Sequence, residues 1–315
     1  MMRTCIALIF VGRVLVDPAL GGSTQRDPPY APAEVPRRVV SLVPAVTEMI
    51  VAIGDGSRLV GVSSYDRYPP EVQTIERVGG LLDPNVEKIL SLRPDLVVAY
   101  NTQQELKQRL ERAHIPFFSY EHRGLADITQ TIRAIGARLG SADAANRLAS
   151  TLESELAAIA RSVAGQPRPK TLLVFGREPG SLRGINASGG YGFLHDMLLV
   201  AGGDDAFGDV KRQSVDVTTE MLLARRPDVI IELRYGDTAP ASDAMRLVRE
   251  WDALPAVPAV RNHRVYVLTG DQFVVPGPRV VEATRALARV LHGSAVAQAF
   301  RPVIGVSSPE GLRYK

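Results

Sequence analysis

Cysteine is all but missing: Cys5 is the only one among 315 residues, so no intrachain disulfide and no thiolate metal site is expected. Aromatics are scarce, at 6% with a single tryptophan, and neither sign of charge dominates, since 37 Lys and Arg meet 34 Asp and Glu for a formal net charge of +3. A nucleic-acid partner calls for a basic block or stripe with stacking aromatics, and the sequence offers neither. No run reaches the roughly 18 apolar residues of a membrane span. The five histidines, His114, His122, His195, His263 and His292, show no paired spacing for direct zinc or manganese, so no metal site is expected. What remains is an apolar content of 45%, enough for a sizeable core, over a length that suggests two domains.

The start reads as a charged segment through Arg3, a short apolar stretch over residues 4–10 and a small-residue zone at 19–22. That is the plan of an export signal, though Arg13 and Asp17 interrupt it. Residues 21–36, rich in Pro and Gly, read as a tether. A signal and tether over 1–36 predict a periplasmic or otherwise extracytoplasmic protein.

Self-similarity organises the rest. Residues 87–99 read Glu-Lys-Ile-Leu-Ser-Leu-Arg-Pro-Asp-Leu-Val-Val-Ala, and residues 220–232 read Glu-Met-Leu-Leu-Ala-Arg-Arg-Pro-Asp-Val-Ile-Ile-Glu. Glu, Leu, Arg, Pro and Asp coincide at one offset, 220 − 87 = 133. Each Glu sits where a carboxylate favours a helix start, and each Pro ends that helix. The unbroken aliphatic runs that follow predict strands covered on both faces, as in a parallel sheet. Residues 39–43 leading into 47–54 pair in the same way with 171–175 leading into 194–203. Further strands are expected at 59–63, 116–120 and 265–269, so strands and helices alternate in both halves.

Between the halves, residues 143–163 carry Leu148, Leu152, Leu156 and Ile159 at helical spacing with no internal Gly or Pro. One helix of about 30 Å is predicted there, at about 1.5 Å per residue, long enough to run across both halves and restrict their relative motion. The expected fold class is α/β: two similar lobes with central parallel-type sheets, over residues 37–140 and 166–315, bridged by a helix within 141–165.

Three segments carry a resemblance: Val39-Val40-Ser41-Leu42-Val43-Pro44-Ala45-Val46-Thr47-Glu48; Gly61-Val62-Ser63-Ser64-Tyr65-Asp66-Arg67-Tyr68-Pro69-Pro70; and Asn85-Val86-Glu87. In this order they resemble the periplasmic binding proteins for cobalamin, ferric siderophores and haem, over about residues 36–292. The resemblance implies a non-enzymatic, monomeric substrate-binding protein of an ABC importer. Its ligand, a corrinoid or a ferric chelate, would sit in the cleft between lobes, with no covalently bound cofactor. It also implies docking to a permease dimer with its ATPase, through a glutamate on each lobe, at Glu87 and Glu220. The internal repeat places those two at equivalent positions, as a two-fold partner demands. Glutamate in a first turn is also common with no partner at all.

For the ligand, the resemblance implies contacts at Tyr65 and Tyr100, an aromatic pair against a corrin, and at Asp271. Leu81 and Ser214 stand where tryptophans are expected, and Val275 where a basic residue is expected. Losing two large rings removes much of the apolar grip on a flat macrocycle. Arg67, Arg177, Arg183, Lys211 and Arg212 lie near the expected cleft loops and suit an anionic chelate, or are ordinary surface charges. An axial haem ligand could come from Tyr65, Tyr100, Tyr191 or His195, though packing or capping is the better role for His195. Trp251 is expected on a surface helix.

The remaining alternative is a phosphate-binding α/β enzyme or ligand sensor. It rests on the glycine-rich run over 184–192 ahead of a helix, which otherwise reads as a flexible cleft loop. The run matches neither the Walker lysine pattern nor the dinucleotide spacing. No Gly-x-Ser-x-Gly elbow accompanies it.

Overall fold

The computed structural model describes residues 35–235 and 241–293. The expected signal and tether, and the end of the second half beyond Gly293, lie outside the described residues.

The first half runs β1 (Val39–Ser41), α1 (Pro44–Ala52), β2 (Leu59–Val62), α2 (Val86–Ser91), β3 (Leu96–Tyr100), α3 (Gln104–Arg112), β4 (Phe117–Tyr120) and α4 (Leu125–Arg138). Its sheet has the order β2-β1-β3-β4, and every pairing is parallel. The aliphatic run of β3 explains the arrangement: Leu96, Val97 and Val98 are 1%, 0% and 0% exposed, covered on both faces by helices.

Helix α5 (Ala142–Ser162) follows, 21 residues without a break, close to the span its apolar spacing predicts. Ala145, Ala149, Leu152 and Ile159 form its buried stripe. Gly136 of α4 permits close approach here, because a methyl group on it would run into Ala145.

The second half runs β5 (Lys170–Gly176), β6 (Ile185–Ser188), α6 (Phe193–Val200), β7 (Asp204–Asp205), β8 (Ser214–Val217), α7 (Thr219–Arg225), β9 (Val229–Arg234), α8 (Ala241–Glu250), α9 (Pro258–Arg261), β10 (Val265–Thr269) and α10 (Val280–His292). Its sheet has the order β10-β9-β5-β6-β8, with β7 pairing β5. The β10-β9-β5 part is parallel, whereas β6 runs antiparallel to both β5 and β8. The second half thus departs from the all-parallel plan of the first at one side.

The glycine-rich run is accordingly not a loose loop. Residues 185–188 are strand β6, the N–H of Gly190 donates to the Val210 carbonyl at 2.7 Å, and Gly190 lies so close to the backbone of Gly208 that a side chain there would collide. A phosphate cradle needs unused N–H groups. Those of Gly189 and Gly190 are spent on the chain itself.

The repeat holds down to single hydrogen bonds. Asn85 caps α2 by accepting from the Lys88 N–H at 2.9 Å, and Thr218 caps α7 by accepting from the Met221 N–H at 3.3 Å. An arginine with positive φ follows each helix, Arg93 at φ 46° directly after the cap residue Leu92 of α2 and Arg226 at φ 50° as the cap of α7 itself. Asp95 then accepts from the Arg37 N–H and Asp228 from the Lys170 N–H, tying each helix-to-strand step to the first strand of its half.

One apolar cluster includes Met49 and Ile50 of α1, Ile132 of α4, Leu152 and Ile159 of α5, Met197 of α6 and Leu287 of α10. The two halves therefore share a continuous core along α5. Among the described residues no helix is long and apolar enough to cross a membrane.

Candidate functional site

A seam between the halves brings several tyrosines and charged groups together. The loop after β2 carries Ser63 to Pro69, and Tyr65 rests against Gly80, where even a methyl group would sit 2.6 Å from its ring. Beside it, Gln103 donates to the Leu81 carbonyl at 2.9 Å and accepts from the Tyr100 N–H at 3.1 Å. Tyr65, Leu81 and Tyr100 are thereby held on one wall. Tyr65 and Leu81 are exposed and Tyr100 is half-buried.

The opposite wall comes from the second half. Tyr235, just past the end of β9, donates its hydroxyl to the Tyr65 carbonyl at 3.3 Å, and the Arg67 guanidinium lies 5.2 Å from the centre of its ring. Asp271, after β10, lies near enough for its charge, with burial as the larger cause, to push the Tyr235 phenol pKa upward. Burial also raises the Tyr100 phenol, with Asp66 and Tyr235 adding to it. The seam thus joins Tyr65, Tyr100, Tyr235, Arg67, Asp66 and Asp271.

Beneath this group two buried acids contrast. Glu48 of α1 is clasped by Arg279, just ahead of α10, whose Nε donates at 3.0 Å and whose second nitrogen reaches the other carboxylate oxygen. The guanidinium stacks 3.9 Å from the Tyr68 ring centre. Asp66 is 2% exposed, and neither of its carboxylate oxygens finds a hydrogen-bond donor. Thr47 lies near, but its hydroxyl contacts Ser41 at 2.9 Å and Val43. Burial pushes the Asp66 carboxyl up to about 7, against the pull of Thr47, Ser63 and Arg77.

A second contact between the halves lies further along. Tyr100, Tyr120, His122 and Phe193 form a row with successive ring centres 5.7 Å apart. Gln213 donates to the His122 carbonyl at 3.4 Å, and the Leu125 N–H to Asp196 at 2.9 Å. Ser214, exposed at the start of β8, adjoins this contact. Asp271 follows β10, at the other edge of the same sheet. Strands β8 and β10 are the opposite edges of the second sheet, four interstrand steps or about 19 Å apart.

Of the other candidates, Arg177 is no arm into the cleft. Its side chain is 1% exposed, and it pairs with Glu232 at 3.0 Å and with Glu250. Trp251 is likewise fully buried, donating to Glu232 at 3.2 Å, and is not on a surface helix. His195 makes an internal contact of 3.1 Å with Asp205, which also accepts from Ser188. Arg67, Arg183, Lys211 and Arg212 are exposed. Among the described residues no group of three or more His, Cys, Asp or Glu is placed to hold a metal ion.

Tyr235 and the Glu48–Arg279 clasp are not among the residues expected from sequence. Tyr235 follows a repeat strand as Tyr100 ends one, a signal that was available. The clasp joins residues 231 positions apart, and no local pattern announces it. Glu87 and Glu220 both stand exposed in the first turns of α2 and α7, and the Thr218 hydroxyl holds the Glu220 pKa below the ordinary value.

Comparison with known proteins agrees with this architecture. A family model described as periplasmic binding protein matches residues 39–272. A vitamin B12-binding protein of Salmonella typhimurium is 32% identical over 257 residues, 81% of this chain and 90% of that protein. An uncharacterised ABC transporter substrate-binding lipoprotein of Bacillus subtilis is 29% identical over 265 residues, covering 82% and 80%. Among solved structures, the periplasmic heme-binding protein RhuT of Roseiflexus gives a TM-score of 0.70 at 27% identity, over 82% of this chain and 99% of that one. The vitamin B12-binding protein BtuF of Vibrio cholerae gives 0.68 at 26%, over 84% and 98%. With its paired α/β halves, its single long connecting helix and a family match over most of its length, the chain belongs to the periplasmic binding protein family.

Proposed function

We propose that this protein is the extracytoplasmic substrate-binding component of an ABC importer. It takes a corrinoid or a ferric chelate such as haem between lobes of residues 37–140 and 166–315, and delivers it to the permease. The observation that carries the cargo reading is the meeting of Tyr65, Tyr100 and Tyr235 from both halves around Arg67 and Asp271. Phenol rings offer flat apolar area with a polar rim, which suits a macrocycle or an aromatic chelate. The named specificities of the Salmonella and Vibrio relatives favour a corrinoid, and that of the Roseiflexus neighbour favours haem.

Leu81 and Ser214 bear on the choice. Both stand where the resemblance expects tryptophans, and their smaller side chains leave less apolar grip on a flat macrocycle than two indole rings would give. The docking contacts are Glu87 and Glu220, whose charges pair with cations on two related permease subunits.

The test is a titration of the purified protein with cyanocobalamin, haemin and a ferric siderophore, followed by the melting shift each produces. We expect at least one to bind near or below about 1 μM and to raise the melting temperature. Failure of all three to bind would refute the cargo assignment.

A further inference from the structure

The faces around Glu87 and Glu220 share a feature beyond charge. One helical turn after each glutamate stands a leucine open to solvent, Leu90 in α2 at 37% exposure and Leu223 in α7 at 41%. Their separation, 223 − 90 = 133, repeats the offset of the glutamates. Positions i and i+3 share a helix face, so carboxylate and leucine form one patch in each half. The same cap, the same left-handed arginine and the same aspartate tie support both patches.

A single exposed leucine needs no account. The same leucine beside the same glutamate in both halves does, because each stays outside the apolar clusters that hold its half together. Around Leu90, the residues Val86, Glu87, Ala113, Arg109 and Arg112 line a shallow, open hollow.

We infer that each docking face is a two-part contact, a glutamate that meets a cation and a leucine that buries against an apolar side chain. The partner is a pair of two-fold-related membrane subunits, each presenting a cation next to an apolar group. This rests on the proposed reading of Glu87 and Glu220 as permease contacts. The parts divide the work: exposed charges steer and orient the encounter and weaken in salt, whereas apolar burial slows dissociation and resists salt. Burying each half-exposed leucine changes affinity by about tenfold.

The experiment measures association and dissociation rates of the full chain on the permease–ATPase complex of the same importer, held in lipid nanodiscs, at low and high salt. In L90S/L223S we expect about a hundredfold weaker binding, all in faster dissociation, with the salt dependence of association unchanged. L90M/L223M should restore binding. E87Q/E220Q should instead associate more slowly and lose most of its salt dependence. Each variant is first required to melt at the wild-type temperature, which establishes that it is folded. If the serine variant binds like wild type while the glutamine variant fails, the leucine contact is refuted and the glutamate docking stands. If both variants bind like wild type, the docking reading fails and takes this inference with it.

Discussion

Glu232 of β9 has a side chain 1% exposed, and its carboxylate is met by Arg177 at 3.0 Å, the Trp251 indole at 3.2 Å and Arg234 at 3.4 Å. Without Arg177 the buried Glu232 keeps its desolvation cost with only the Trp251 indole and the longer Arg234 contact to offset it, and Glu250 loses the same partner. Arg177→Met should therefore lower unfolding stability by about 3–5 kcal/mol, read by urea denaturation on Trp251 fluorescence. A loss under about 1 kcal/mol would show the pair to be dispensable. Asp66 poses the opposite case, a buried acid with no donor. Its pKa is about 7 in the fold against an ordinary 3.8. Between those values the folded protein holds a proton that the unfolded chain has released, so stability falls as pH rises through that window and stays lower above it. Glu48 and Asp205, also raised by burial, add slope of the same sign. The difference between variant and wild type is therefore the readout: Asp66→Asn should flatten the decline in melting temperature across the window and melt higher at about pH 8. Parallel profiles would show that Asp66 does not titrate there.

At the scale of elements, the repeated helix-to-strand step is stabilised locally as well as by packing. Removing the caps tests this in both copies: Asn85→Ala and Thr218→Ala should each cost about 1 kcal/mol in chemical denaturation, with the fold kept. Unequal costs, one near zero, would break the equivalence of the two steps. These steps were legible in sequence because their determinants are local: a capping side chain, a proline stop and an aliphatic run. Helix α5 was legible for the same reason, as its buried stripe of Ala145, Ala149, Leu152 and Ile159 follows helical spacing. Strand β6 was not. Ile185–Ser188 has only two apolar residues between glycine-rich flanks, and what makes it a strand is its pairing with β5 and β8. The same limit hid the environments of Arg177 and Trp251, whose shared partner Glu232 lies 55 and 19 positions away. Tertiary pairing decided these positions, and no nearby pattern reports it.

At the scale of the molecule, the two halves meet through α5, α10 and the shared apolar cluster, with the Glu48–Arg279 clasp and the Tyr235–Tyr65 bond across the seam. Such a seam holds the two walls of the candidate site in register, while the repeat sets one exposed glutamate on each half, the pair on which the proposed docking rests. The general plan was therefore readable from self-similarity and the family motifs. The makeup of the site was only partly so, because Tyr65, Leu81 and Tyr100 are close in sequence to the motifs, whereas Tyr235 enters from the other half. The central claim is that the protein carries its cargo to a permease through Glu87 and Glu220. The most direct measurement is uptake of a bound, labelled cargo into proteoliposomes holding the permease and its ATPase, comparing wild type with the Glu87→Arg/Glu220→Arg double variant. In the double variant uptake should be abolished while cargo affinity in solution is unchanged. Undiminished uptake by the double variant would contradict it.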